Sequence, residues 1–240
     1  MEDILKKADD ENKSTGRDKG PRQNHAQRWW KHWRGRAEML EKISSVPRYI
    51  ACSRTTRRPI FEFIHNSIHP NDALQLFPLA DDYSFGILQS SLHADWFAER
   101  CSTLKRDPRY TSNTVFDSFV WPQNTTIQHV SKVAKLGREL RLMRRKLIQE
   151  NDTNLRELYK IMETPGKNPL KQAQDNLDQS VRHAYKMSKD ENSLKFIFEL
   201  NQEVSDLEKN DKNIEGPGLP SWVEFPGEFI SADAVRVSSD

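Results

Sequence analysis

The spacing of hydrophobic residues changes twice along the chain. Up to about residue 78, β-branched and aromatic residues alternate or cluster in "VPRYIACS", "RPIFEFIHNSI" and "ALQLF", which predicts short strands between turns. From Phe85 to Phe97 the apolar residues take helical spacing, so we expect a helix there. "CSTLKRDPRYTSNTVFDSFVWPQ" then reads as loop and short strand, interrupted by Pro108 and Pro122.

A helical texture begins near residue 127. In "IQHVSKVAKLGRELRLMRRKLIQEND" the apolar residues recur at steps of three and four, which places them on one stripe of a helix. Further helices are predicted at "NLRELYKIM", around residues 170–184 and around residues 194–207, and a short strand is expected near "EFISADAVRV". The stripe consists of Val133, Leu136, Leu140, Met143 and Leu147.

These patterns predict an α+β fold in four parts. Residues 1–24 form a polar lead-in without periodicity, and residues 25–126 form a β-rich domain with short helices. Residues 127–215 form an α-helical domain, and residues 216–240 form a tail.

Composition narrows the class of protein. The chain has 240 residues, of which 35% are hydrophobic and 30% charged, yet 11 Phe and 6 Trp suffice for a core. Two cysteines offer no disulfide framework, so we expect a reducing, cytoplasmic setting. No apolar run approaches the roughly 18 residues of a membrane helix, and the start lacks a signal-peptide pattern, so no membrane partner is expected.

The net charge of +2 conceals a strong asymmetry along the chain. Residues 17–58 carry 12 Lys/Arg against 3 acids, residues 60–131 carry 4 against 8, and residues 132–148 carry 7 against 1. Two basic blocks therefore flank a mildly acidic, aromatic-rich middle. This distribution suits a groove for a polyanion, although two solvated faces would give the same pattern.

Motifs for catalysis are missing from the sequence. It has no GxGxxG and no Walker loop, and its nine glycines are scattered. His65 and His69 are four residues apart, but the stretch reads as a strand that Pro70 ends, which disfavours metal ligation. Cys52 and Cys101 are expected to be small buried side chains. We therefore predict no catalytic residue and no metal site in this chain.

The chemistry that is present lies in "SRTTRR", residues 53–58, which we call the arginine loop. Three arginines and two threonines fall between two predicted strands. Arg can donate two hydrogen bonds to a guanine edge, and Thr can contact bases or phosphate. The alternative is an ordinary exposed polar hairpin.

Three long stretches carry a family resemblance: "RWWKHWRGRAEMLEKISSVPRYIACSRTTRRPIFEFI", "DDYSFGILQSSLHADWFAERCSTLKRDPRYTSNTVFDSFVWPQ" and "LRELYKIMETPGKNPLKQAQDNLDQSVRHAY". In this order they resemble the large single-chain adenine-specific DNA methyltransferases of type II restriction–modification systems. The resemblance covers about residues 17–220 and corresponds to the target recognition domain and the helical C-terminal segment.

The resemblance implies roles for individual residues, and the basic faces suggest others. The aromatic stretches would form the core of a DNA-reading domain, with structural residues Phe85, Leu88, Trp96, Tyr110, Phe116 and Phe119. Base contacts are expected from Arg54, Thr55, Arg57, Arg58, Asp82 and Tyr83. The two basic blocks are expected to contact DNA phosphates through Arg28, Lys31, Arg34, Lys135, Arg138, Arg141 and Arg145.

The sequence departs from the family pattern in two turns and in extent. Val120 stands where the family has Pro after Phe, and Lys186 replaces the Gly of the family's Ala-Tyr-Gly. The family's cofactor pocket and Asn-Pro-Pro-Tyr element would lie upstream of residue 1. We therefore expect no methyl transfer by this chain alone, and S-adenosylmethionine would bind a separate methyltransferase domain.

The expected function is a DNA sequence-recognition module of a site-specific adenine methyltransferase. Its partners would be double-stranded DNA and a methyltransferase domain or subunit. The alternative is a non-catalytic interaction protein, or a truncated remnant with no independent DNA function.

Overall fold

The computed structural model describes residues 36–237 apart from Lys105, Glu163, Pro165 and Lys167, together with residues 6, 7, 10, 13 and 14. Two compact units are present, Met1–Lys42 and Ile43–Asp240. Helix α1, Ala37–Ser44, is the last element before the strands of the larger unit. The mixed α+β class predicted from the sequence is confirmed.

The larger unit begins with a three-stranded antiparallel sheet of order β2–β1–β3. Its strands are β1 (Arg48–Ser53), β2 (Glu62–His65) and β3 (Leu74–Phe77). Ile50 of β1 lies opposite Phe63 and Phe77 in this register. All three side chains are buried, so one face of the sheet lies on the aromatic core.

Two helices follow where the sequence predicted one. Helix α2 runs over Asp82–Gln89 and α3 over Ser91–Arg100, with Ser90 extended between them. The Ser90 hydroxyl donates to the Ile87 carbonyl at 2.7 Å and accepts from the His93 N–H at 3.3 Å. One serine thus ends the first helix and caps the second, which the apolar spacing alone does not show.

A two-stranded hairpin, β4 (Ser102–Leu104) and β5 (Asp107–Arg109), leads to a π-helical turn at Ser112–Phe116. Tyr110, directly after β5, stacks on Phe97 with ring centroids 5.6 Å apart. The predicted structural residues are buried, except that Phe116 is only partly so. The aromatic stretches therefore form the core, as expected.

The helical part comprises α4 (Ile127–Glu150), α5 (Leu155–Met162), α6 (Pro169–Ala184) and α7 (Ser193–Lys209), followed by a short 3₁₀ helix at Pro226–Phe229. Helix α4 starts at the predicted boundary but packs against both α2 and α6, and α7 packs against α3. The elements from β1 to α7 consequently belong to one compact unit, Ile43–Asp240. None of the described helices is long and apolar enough to cross a membrane.

Candidate nucleic-acid interface

The arginine loop connects β1 to β2, as the sequence predicted, and its backbone is held by short-range hydrogen bonds. The Ser53 hydroxyl donates to the Thr55 carbonyl at 3.0 Å. The Thr56 hydroxyl donates to the Arg58 carbonyl at 2.6 Å and accepts from the Arg58 N–H at 3.2 Å. These hydroxyl turns restrict the loop, so the arginines project from an ordered backbone.

The β4–β5 hairpin and the β2–β3 connection hold the loop from either side. The Thr56 N–H donates to the Pro108 carbonyl at 3.0 Å, and the Tyr110 N–H donates to the Arg54 carbonyl at 2.7 Å. The Arg54 N–H donates to the Ala73 carbonyl at 2.8 Å. Three chain segments thus meet at one surface, which has the rigidity that a binding site on loops requires.

The β4–β5 hairpin brings two further arginines, which were not predicted from the sequence, to the surface of the arginine loop. Arg106 is exposed at the hairpin tip, and Arg109 forms a bridge with Thr55. The Nε of Arg109 is buried without a hydrogen-bond acceptor among the described residues. The hairpin's two arginines lie about 50 residues from the loop in sequence, so only the tertiary pairing reveals that they share its surface.

The three arginines of the loop differ in exposure and in how neighbouring residues hold their side chains. Arg54 donates from Nη1 to the Asp72 carbonyl at 3.2 Å, which ties it to the β2–β3 connection. The guanidinium of Arg58 lies 5.9 Å from the centroid of the Tyr159 ring. Arg57 and Thr55 are exposed. Arg57 is therefore the arginine of this loop best placed to reach an external ligand.

Asp82 and Tyr83 do not lie at this surface, which corrects the expectation that they contact bases. Asp82 is 5% exposed and Tyr83 1% exposed, in the first turn of α2. The Asp82 carboxylate accepts from Arg48 Nη2 at 2.8 Å, and Tyr83 packs against Trp121. Both side chains belong to the interior of the unit.

Arg141 is also an interior residue, which corrects its assignment as a phosphate contact. Its side chain is fully buried, and it ion-pairs with Asp82 and with Asp233, the latter at 2.8 Å. Its guanidinium lies 4.5 Å from the centroid of the Phe85 ring. With its charge already neutralised and enclosed by aromatic rings, Arg141 cannot meet a DNA phosphate.

Arg144, which the sequence did not single out, is buried beside it. It donates to the Phe61 carbonyl at 2.9 Å, pairs with Glu62 at 3.1 Å and donates to the Tyr159 hydroxyl. Although burial raises the pKa of Tyr159, the Arg144 charge and hydrogen bond act in the opposite direction. Arg144 therefore joins α4 and α5 to the start of β2.

The other residues predicted to contact phosphates differ in their exposure and in their ion pairs. Lys135 and Arg138 are exposed on α4, and Lys135 lies 3.9 Å from Glu139. Arg145 is 37% exposed and pairs with Asp233 at 3.0 Å, so part of its charge is already used. Arg28, Lys31 and Arg34 lie outside the described residues. This geometry does not test whether these side chains bind DNA phosphates, so their assignment as phosphate contacts remains a prediction.

No group of three or more His, Cys, Asp or Glu side chains that could hold a metal ion is found in the part of the chain that the structure describes. His65, considered as a ligand, instead shares its Nδ1 with the Ser67 hydroxyl at 2.8 Å.

Comparison with known proteins bears on this surface. Residues 11–123 match the target recognition domain of MmeI. DNA methyltransferase A of Bacillus subtilis (strain 168) is 29% identical over 130 residues, which is 53% of this chain and 14% of that protein. The solved type IIL restriction–modification enzyme MmeI, in complex with DNA, matches 78% of this chain with a TM-score of 0.65 and 21% identity.

The structural match covers 24% of the MmeI chain, so this chain spans only a small share of the length of both relatives. At 21% identity the MmeI structure establishes the fold alone. The resemblance derived from the sequence is confirmed by these matches, since residues 11–123, just under half of the chain, are similar to the target recognition domain of MmeI.

Proposed function

We propose that this chain is the DNA sequence-recognition module of a restriction–modification adenine methyltransferase. The observation that carries the proposal is the arginine loop. It lies inside the residues that match the target recognition domain, it is held by two other chain segments, and it leaves Arg57 exposed. An ordered loop with an exposed arginine suits a bidentate contact to a guanine edge in the major groove.

The proposal divides the work between two sets of basic residues. Arg57, Arg54, Arg58 and Thr55 would read bases from the loop, with Arg106 extending the same surface. Lys135 and Arg138 on α4 would contact phosphates, which fix the register of a protein on the duplex without reading sequence.

Methyl transfer would belong to a separate catalytic domain or subunit. That part would bind S-adenosylmethionine and receive an adenine flipped out of the duplex. The recognition module would supply the position of the target base. This chain alone is then expected to transfer no label from tritiated S-adenosylmethionine to DNA.

The direct test is binding of duplex DNA over a range of salt concentrations. About five phosphate contacts would give a slope of log K against log salt near −4 to −5, because each neutralised phosphate contributes roughly −0.9. Lys135→Ala should flatten the slope by about one. Lys195→Ala is the matched control, since Lys195 is also an exposed lysine paired with a glutamate four residues on. A salt-independent signal, or none at low salt, would favour the interaction-protein alternative.

A further inference from the structure

A groove on the larger unit is filled by residues 231–235, which come from the far end of the sequence. Val235 extends the sheet beyond β2 as a parallel bridge with Ile64. The Val235 N–H donates to the Phe63 carbonyl at 2.8 Å, and the His65 N–H donates to the Val235 carbonyl at 3.0 Å. The tail thus forms one parallel bridge with the open edge of the β2–β1–β3 sheet, the edge that a peptide ligand uses in β-augmentation.

Three arginines beside this edge converge on Asp233. Arg48 reaches its carboxylate at 3.2 Å, Arg141 at 2.8 Å and Arg145 at 3.0 Å. Arg48 also donates to the Asp233 backbone carbonyl at 2.7 Å, so the groove recognises main chain and side chain together. Ser231 joins the set, because its hydroxyl donates to Asp82 at 2.9 Å and accepts from Arg48 at 3.0 Å.

The positive charges of the arginines in this groove are balanced by two carboxylates, one of which comes from the tail. With the tail in place the side chains of Arg48 and Arg141 are 3% and 0% exposed, and both pair with Asp82. An uncompensated buried charge is strongly destabilising. Asp233 supplies the second carboxylate. Burial would raise its pKa, but the hydrogen bond and charge of Arg141, helped by Ser231 and Arg145, hold that pKa below its ordinary value.

The segment that leads into the groove is exposed. Residues 224–228, which include most of the short 3₁₀ helix, lie on the surface, and a Cβ on Gly227 would meet no atom within 4 Å. The groove contacts are therefore confined to the residues that follow. A chain cut in this exposed segment would retain its tail through the groove and through Phe229, which packs against the hydrophobic core.

The geometry points to a peptide-binding groove, formed by the edge of β2 and by Arg48, Arg141 and Arg145, for which residues 231–235 are the intramolecular ligand. It takes a peptide that bends between a hydroxyl side chain and a carboxylate two residues later and then pairs with the strand edge. It borders both strands that carry the arginine loop, since β1 begins at Arg48 and β2 contains Phe63 and Ile64. The docking itself needs no DNA and stands apart from the proposed function.

The test uses the full chain, folded before it is cut. A specific protease site is placed at Gly227, the folded protein is cleaved, and size-exclusion chromatography shows whether the released peptide co-elutes with the body. A labelled synthetic peptide of residues 228–237 is then exchanged into the nicked protein, and its affinity is compared with that of peptides carrying Asp233→Asn or Glu228→Gln. The protein body is identical in all arms, so misfolding of a variant cannot confuse the result.

We expect the cleaved peptide to co-elute and the labelled peptide to replace it. Loss of the carboxylate in the Asp233→Asn peptide should weaken binding by at least about tenfold, because charge-assisted hydrogen bonds to buried arginines are lost. The Glu228→Gln peptide is the control and should bind like the original, since Glu228 is exposed. Dissociation of the original peptide upon cleavage, or equal binding of the Asp233→Asn peptide, would overturn the groove.

Discussion

Gly86 on α2 and Gly137 on α4 lie against each other where the two helices cross. A Cβ on Gly137 would be 3.3 Å from the Cα of Gly86 and 3.1 Å from the carbonyl oxygen of Asp82. A Cβ on Gly86 would be only 2.6 Å from Val133 Cγ1 and 3.1 Å from the Val133 carbonyl oxygen. The approach of the two backbones therefore leaves no room for a side chain. This contact fixes α2, and with it the core under the sheet, onto the helical part.

Gly86→Ala is expected to destabilise the protein even though alanine favours helices by about 1 kcal/mol. Forcing a methyl group into this contact costs typically 1–3 kcal/mol, because the buried Val133 side chain and its carbonyl on α4 would have to move. Urea unfolding followed by circular dichroism measures the difference. Gly227→Ala is the control and should change the free energy of unfolding by less than about 0.5 kcal/mol, since its site is open. If the Gly86→Ala protein is as stable as the parent, then the contact between α2 and α4 accommodates a methyl group at no cost in free energy.

Hydrophobic periodicity predicted the elements of this fold well, because a buried face imposes its spacing on the sequence. Val133 and Leu140 of the predicted stripe on α4 are fully buried. The break at Ser90 was not predicted, since the apolar spacing continues across it while a single hydroxyl caps both helices.

The site was predicted in part. The arginine loop is visible in sequence because its residues are contiguous. Arg141 was assigned to a basic face because its partners are remote: Asp82 is 59 residues away and Asp233 is 92. The buried stripe of α4 runs on from Leu140 into Arg141 and Arg144, and nothing local to the helix shows that acids from other elements neutralise these charges.

Replacing Arg141 should therefore affect stability and not DNA contact. Arg141→Met keeps the volume of the side chain but leaves Asp233 and Asp82 short of a buried partner. We expect a loss of about 3–5 kcal/mol in the free energy of unfolding. Arg138→Met is the matched control, because Arg138 is exposed on the same helix, and it should stay within about 0.5 kcal/mol. Equal effects of the two changes in denaturant titrations would refute the interior role of Arg141.

Asp178 on α6 gives a prediction about pH. Burial raises the pKa of this carboxyl to about 6, although the Ser91 N–H and Gln174 donate to it. Since the folded pKa lies above the unfolded value of 3.8, the folded state holds the proton more tightly. Stability is therefore lost as pH rises from about 4 to about 6, and the cost persists above that range.

Asp178→Asn removes that cost while keeping an oxygen that can accept from Ser91. The variant should be more stable than the parent at pH 7.5, by on the order of 1–3 kcal/mol, and nearly equal to it at pH 3.5. Thermal unfolding of both proteins across this range gives the comparison. A gain that is the same at both pH values would mean that the carboxyl's ionisation is not its source.

The sharpest prediction distinguishes residues that read DNA from residues that hold it. Arg57 is exposed on the arginine loop, whereas Lys135 is exposed on α4, a helix whose other face is buried. Loss of a bidentate base contact costs about 1–3 kcal/mol and relaxes preference at one position of the recognised sequence. Loss of a phosphate contact weakens all sequences alike. Arg57→Ala should therefore change which sites are used, and Lys135→Ala should not.

The measurement joins the chain to a matching methyltransferase domain and maps methylated sites by sequencing. Arg58→Ala belongs in the same series, but part of its effect should be on stability, because its guanidinium lies near the Tyr159 ring in the interior of the unit. Arg57 has no such neighbour among the aromatic contacts of the described residues, so its effect reports on DNA alone. If Arg57→Ala leaves the methylated motif unchanged while Lys135→Ala alters it, then α4 faces the bases and the arginine loop does not.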